Sequence, residues 1–181
     1  MYNNLMKVPG FRPKEILFSP TTNCNLRCAH CDIEQRPEVL NKRAATKFLA
    51  ASFRNGIKRV GFTGGEPFVN PALLEILAET LRCGPCTVLT NGTLLSSARI
   101  EALRELSDTA RYALEIRVSL DGIEAEAHDR FRGTGAFART MEGLCALERA
   151  DLLPIVTLTY PAEAEVFEFR ERASVALHAA G

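Results

Sequence analysis

Three cysteines, Cys24, Cys28 and Cys31, stand within eight residues of one another in the stretch SPTTNCNLRCAHCDIE. Thiols this close in sequence can form a disulfide staple, bind zinc, or hold an iron–sulfur cluster. A structural zinc site closes a tetrahedron with four ligands, mostly as two pairs. Here His30 is the nearby candidate for a fourth ligand, but it adjoins Cys31 and is badly placed to reach the same ion. No second cysteine pair lies close in sequence. A cubane [4Fe–4S] cluster is a different object. Three thiolates hold three of its irons and leave the fourth open to a substrate or cofactor. Gaps of three and two residues let one loop wrap three corners of the cube.

The bulk composition narrows the setting. A chain of 181 residues is long enough for one domain with a sizeable core, and 46% hydrophobic with 24% charged residues is globular. Basic and acidic residues balance at 22 each, so no charge excess argues for a nucleic-acid partner. The N-terminal stretch MYNNLMKVPGFRPKEILF lacks the apolar core and cleavage site of a signal peptide, and no window approaches a membrane span. These features predict a soluble cytoplasmic protein. In a reducing compartment clustered cysteines bind metal or do redox work more often than they form disulfides.

The elements that must position the cysteines alternate along the chain. EILFSP, IKRVGFTGG, TVLTNG, ALEIRVSLDG and LPIVTLTY read as strands. ALEIRVSLDG is the clearest, with Leu114, Ile116, Val118 and Leu120 at period two. Between and after them, NKRAATKFLAASFRNG, NPALLEILAETL, SSARIEALRELS, FARTMEGLCALERA and EAEVFEFRERASVALHAA read as helices. The first places Ala45, Phe48, Leu49 and Phe53 on one face. The second starts with Asn70 as cap and Pro71 at its first position. The third turns Ile100, Leu103 and Leu106 inward. Such a succession predicts parallel strands with right-handed crossovers, as an open doubly wound sheet or a full or partial barrel.

In both architectures chemistry gathers at the carboxyl ends of the strands. After the first strand come the cysteines, after the second TGGEP, after the third TNGT, and the fourth ends in SLDG. Four polar or glycine-bearing loops thus project to one rim.

CNLRCAHC, followed in order by GGEP, TNGT and SLDG, resembles the radical S-adenosylmethionine (SAM) superfamily over about Pro20 to Tyr160. HDRFRG adds a likeness to peptide-modifying members that carry cysteine-rich, SPASM-type C-terminal extensions. The resemblance implies an α/β fold, a partial TIM-type barrel with about five of six expected β/α units. It implies that residues 1–181 form a core domain without the sixth unit or any auxiliary-cluster extension. Cys24, Cys28 and Cys31 would hold a [4Fe–4S] cluster whose open iron chelates SAM. Reductive cleavage of SAM would give a 5′-deoxyadenosyl radical that abstracts a substrate hydrogen. Gly64, Gly65 and Glu66 match the segment that meets the methionine amino group, the glycines for close main-chain approach and the carboxylate for the ammonium. Ser119 and Asp121, two apart and read as pointing to one side, suit the ribose hydroxyls or the SAM carboxylate. Asn91 would contact SAM or turn with Gly92, and Arg132 would pair with the SAM carboxylate or be a solvated helix-end residue. The implied partners are an electron donor such as a flavodoxin or ferredoxin and a peptide or protein substrate. A cofactor or small-metabolite substrate is the alternative, and a zinc-stabilised binding domain a further one.

The other candidates carry blander expectations. Cys83-Gly84-Pro85-Cys86 has the thioredoxin tetrapeptide but follows a helix and precedes a strand, the reverse of the activating arrangement. It is expected as a solvent-side loop. Cys145 is expected in the core, His30 beside the cluster as a packing or hydrogen-bonding residue, and His128 and His178 at the surface.

Overall fold

The protein is described by a computed structural model over residues 13–159 and 166–180, with side chains in the second segment from 167 to 177. Five parallel strands alternate with helices: β1 Glu15–Phe18, α1 Lys42–Arg54, β2 Arg59–Phe62, α2 Leu73–Leu81, β3 Cys86–Thr90, α3 Ser97–Thr109, β4 Leu114–Leu120, α4 Ala125–Arg132, α5 Ala136–Arg149, β5 Ile155–Leu158 and α6 Val166–Ala180. Each strand pairs with the next, in the order β1-β2-β3-β4-β5. A doubly wound sheet needs a reversal of strand order at a switch point. There is none here, so successive right-handed crossovers stack the helices on one face and the sheet is a partial barrel.

Side-chain alternation explains the two faces. Phe18, Phe62, Val88 and Ile116 lie side by side in register. They pack with Leu49, Ile76, Leu77, Leu103 and Leu147 of the helices into one core. Each fully buried side chain of this size contributes about 1.5–3 kcal/mol. The opposite, concave face carries Leu17, Thr87, Glu115, Arg117 and Ser119, and Leu17 on the edge strand stays 71% exposed. Phe48, expected inward, is 53% exposed, yet its ring stacks on Phe18 with centroids 5.6 Å apart.

Two helix starts differ from the sequence pattern. The second helix begins at Leu73, because residues 67–69 form a 3-10 turn first. Asn70 still acts as a cap: its Oδ1 accepts the Ala72 N–H at 2.9 Å while its amide donates to the Pro20 and Leu40 carbonyls. After β4 the chain makes two helices, separated where Gly133 and Gly135 adopt positive φ of 97° and 76°. Among the described residues no helix is long and apolar enough to cross a membrane. The N-terminal stretch through Arg12, Tyr160 and the side chain of His178 lie outside the described residues.

Candidate metal centre

The loop after β1 brings Cys24, Cys28 and Cys31 to one cavity of about 210 Å³ at the carboxyl end of the sheet, lined also by Gly64, Gly65, Glu66, Asn91, Ser119 and Arg132. All three are free thiols, two half-buried and Cys31 exposed. Burial pushes the Cys24 and Cys28 thiols up, and the Arg132 charge partly offsets this at Cys28. A bound metal deprotonates such thiols outright. Among the described residues no three His, Cys, Asp or Glu side chains close on a single ion. Three thiols spread around one cavity are the donor set a cubane takes, with each sulfur on a different iron.

The cysteine loop has little regular structure of its own and is fastened from neighbouring loops. Gly65 N–H donates to the Thr21 carbonyl at 3.0 Å and Glu66 N–H to the Asn23 carbonyl at 2.9 Å. These contacts require glycine. A Cβ on Gly64, whose φ is 124°, would stand 2.2 Å from the Ser19 hydroxyl oxygen and the Thr21 carbonyl. One on Gly65 would stand 2.1 Å from the Asn23 carbonyl. Farther along the loop, Ala29 N–H donates to the Phe131 carbonyl of α4 at 2.8 Å.

Glu66 is 1% exposed, and its carboxylate ties the loop after β2 to the end of β3. Its Oε1 accepts the Phe68 N–H at 3.1 Å and the Thr90 hydroxyl at 2.8 Å, and its Oε2 accepts the Asn91 N–H at 2.8 Å. Burial raises its carboxyl, and these donors counter the rise only in part. Asn91 uses its own side chain locally. Its Oδ1 accepts the Thr93 N–H and hydroxyl, and its amide donates to Asn25 Oδ1 at 3.0 Å and lies 3.9 Å from Cys24 Sγ. Asn91 therefore makes the turn with Gly92 and also faces the cysteine loop.

Ser119 lies on the wall of the cysteine cavity; Asp121 follows the last residue of β4 and lines a neighbouring cavity. Its carboxylate is buried behind Arg132, whose Nε donates to Oδ2 at 2.5 Å, while the Thr159 hydroxyl donates to Oδ1 at 2.9 Å. His30 Nε2 approaches Oδ2 at 3.6 Å, and its ring packs edge-on against Phe131. Burial alone would raise the Asp121 carboxyl; the Arg132 hydrogen bond and charge outweigh it and hold it below the usual range. Arg132 is accordingly no solvated helix end, with 11% of its side chain exposed.

Other expectations need correction. His128 is buried, 0% exposed, because α4 lays this face on the turn that ends β4. The tetrapeptide cysteines part company. Cys83 is exposed in the loop, whereas β3 starts one residue before TVLTNG and puts Cys86 in the core at 1% exposure. Burial pushes the Cys86 thiol up to about 12, far from a redox-active thiolate. Cys145 is half-buried on α5 and not fully in the core.

Residues 18–162 match the sequence profile of the Radical SAM superfamily. The chain is 38% identical over 133 residues to the antilisterial bacteriocin subtilosin biosynthesis protein AlbA of Bacillus subtilis, covering 71% of this chain and 29% of AlbA. It is 37% identical over 145 residues to an AdoMet-dependent heme synthase of Methanosarcina barkeri, covering 77% of this chain and 40% of that protein. The fold is shared with Streptococcus suis SuiB, solved with its precursor peptide SuiA, at a TM-score of 0.73 and 17% identity over 93% of this chain and 37% of SuiB. The chain thus spans less than half the length of these relatives.

Proposed function

Because the chain belongs to the radical SAM superfamily, we propose that it is the core domain, residues 1–181, of a radical SAM enzyme that modifies a peptide or protein. The observation that carries this reading is the convergence of Cys24, Cys28 and Cys31 with Gly65, Glu66, Ser119 and Arg132 on one cavity. When bound, the [4Fe–4S] cluster and SAM supply reductive cleavage of the sulfonium and the radical that takes hydrogen from a substrate.

The residues of the chain hold and orient. Cys24, Cys28 and Cys31 would hold the cluster through their thiolates, three donors for a four-iron cubane. Glu66 Oε1 is filled by two donors, but among the described residues Oε2 accepts one and keeps a lone pair for the methionine ammonium. Arg132 engages Asp121 through Nε alone among the described residues, which leaves its terminal NH₂ groups for the SAM carboxylate. Ser119 offers a hydroxyl to the ribose, and Asn91 orders the rim beside Cys24. Asp121 acts through Arg132.

The peptide reading is supported by the likeness to AlbA and by the fold shared with a precursor-peptide complex. The likeness to the AdoMet-dependent heme synthase favours cofactor or small-metabolite biosynthesis as the second reading. Either reaction needs a low-potential donor of the flavodoxin or ferredoxin kind, and both fit a cytoplasmic enzyme.

Anaerobic reconstitution with iron and sulfide tests the proposal. After reduction, the EPR signal is expected to change on adding SAM, 5′-deoxyadenosine to form, and both to disappear in Cys28→Ala. A well-folded protein that takes up zinc and no cluster would overturn it. Acceleration of 5′-deoxyadenosine formation by peptides, and not by porphyrin or nucleotide substrates, separates the two readings.

A further inference from the structure

His128 is fully buried on α4, and its two ring nitrogens are in unequal surroundings. Nδ1 accepts the Asp121 backbone N–H at 3.1 Å, which puts the proton of the neutral ring on Nε2. Among the described residues the buried Nε2 finds no hydrogen-bond partner, and the ring meets Phe137 edge-on at 5.7 Å between centroids. An orphaned buried N–H is unfavourable, and an apolar ring would fill the same volume without it. Packing alone does not explain a histidine here. Its Nδ1 acceptor does.

That acceptor works where β4 meets α4. A Cβ on Gly122 would stand 2.6 Å from the Ala127 Cβ and 3.1 Å from the His128 N, so the turn and the helix are in direct contact. One helical turn on, and on the same face, Arg132 holds the Asp121 carboxylate. The helix therefore grips Asp121 twice, by main chain and by side chain, while Arg132 reaches the wall of the cysteine cavity.

We propose that His128 is a positioning residue: a neutral, Nε2-protonated ring that fixes the Asp121 main chain and the register of α4, so that Arg132 faces bound SAM. This rests on the SAM-binding reading above and extends it to a residue that touches neither the cavity nor the cysteines.

Two substitutions with opposite properties test it. His128→Asn keeps an acceptor near the Nδ1 position but leaves a smaller side chain. His128→Phe keeps a ring and removes the orphaned N–H, but has no acceptor. The expected result is that His128→Phe melts no lower than the parent yet, once reconstituted, binds SAM about tenfold more weakly. His128→Asn melts lower and binds SAM nearly as the parent does. In the cluster-free chain, two-bond ¹H–¹⁵N spectra find the Nε2–H tautomer. The Asp121 amide exchanges slowly in the parent and His128→Asn, and fast in His128→Phe. Equal SAM affinity in the two variants, an Nδ1–H tautomer, or unchanged Asp121 exchange in His128→Phe would each overturn the proposal. Should the parent hold a cluster and bind no SAM, the cofactor reading fails. Tautomer and amide exchange then still decide whether His128 fixes Asp121.

Discussion

The Asn91 backbone N–H donates to Glu66 Oε2 at 2.8 Å, so a buried carboxylate joins the loop after β3 to the loop after β2. Among the described residues the hydrogen-bond partners of that carboxylate are all donors, Phe68 N–H, Thr90 hydroxyl and Asn91 N–H. Glu66→Gln cannot satisfy them, since its NH₂ faces an N–H in either amide orientation. It is expected to lose about 1–3 kcal/mol, read as a lower urea midpoint with unchanged slope. A variant as stable as the parent would show that the carboxylate does not bridge these loops.

Gly65 is a second point where shape decides. Gly65→Ala forces a Cβ against the Asn23 carbonyl, which is main chain and cannot swing aside. Overpacking of this kind costs about 1–3 kcal/mol. Because the displaced segment carries Cys24, iron bound after reconstitution is expected to fall further than the melting temperature suggests. Parent-level iron content would remove the cradle from the account.

Acid should weaken the fold in two separate ranges. Burial, helped by Arg132, holds the His128 imidazole below its usual 6.5, so the unfolded chain binds more protons there and stability falls as pH drops below that value. Asp121 lies below its usual 3.8, and its contribution is lost at lower pH by the same sign. Between about pH 7 and pH 5 the urea midpoint of the parent is expected to fall relative to that of His128→Phe. A decline unchanged by that substitution would assign the upper range to another group.

The cysteines should sort by chemistry. Alkylation of the native, cluster-free protein at mildly alkaline pH is expected to modify Cys83 and leave Cys86 intact until unfolding, given its exposure and a thiol near 12. Cys83→Ala should retain full iron content, and Cys28→Ala should not. Loss of cluster in Cys83→Ala would give the tetrapeptide a role the fold does not suggest.

Much of this arrangement can be read along the chain. Ile116, Val118 and Leu120 alternate in sequence and are only 2%, 0% and 1% exposed. Asn41 and Ser96 cap α1 and α3 as their side-chain chemistry directs. The four rim loops follow from where the strands stop. What stays hidden depends on packing between segments distant in sequence. His128 stands among Glu124, Glu126, Asp129 and Arg130 and looks like surface until α4 lies on the Asp121 turn. The glycines of TGGEP suggest a close approach, but not that Thr21 and Asn23 of the cysteine loop make it. Cys86 moved from loop to core because one residue more joined β3.

The fastening of the cysteine loop also bears on the order of assembly. In a zinc finger the metal is the nucleus, and the apo chain has no fold to keep. Here Gly65 and Glu66 from one side and Phe131 from the other hold the loop through main-chain hydrogen bonds, above a core made by strands and helices. Folding and cofactor loading should then be separate equilibria. A maturation system would meet a receptacle already shaped, and a chelator should empty it without melting the barrel.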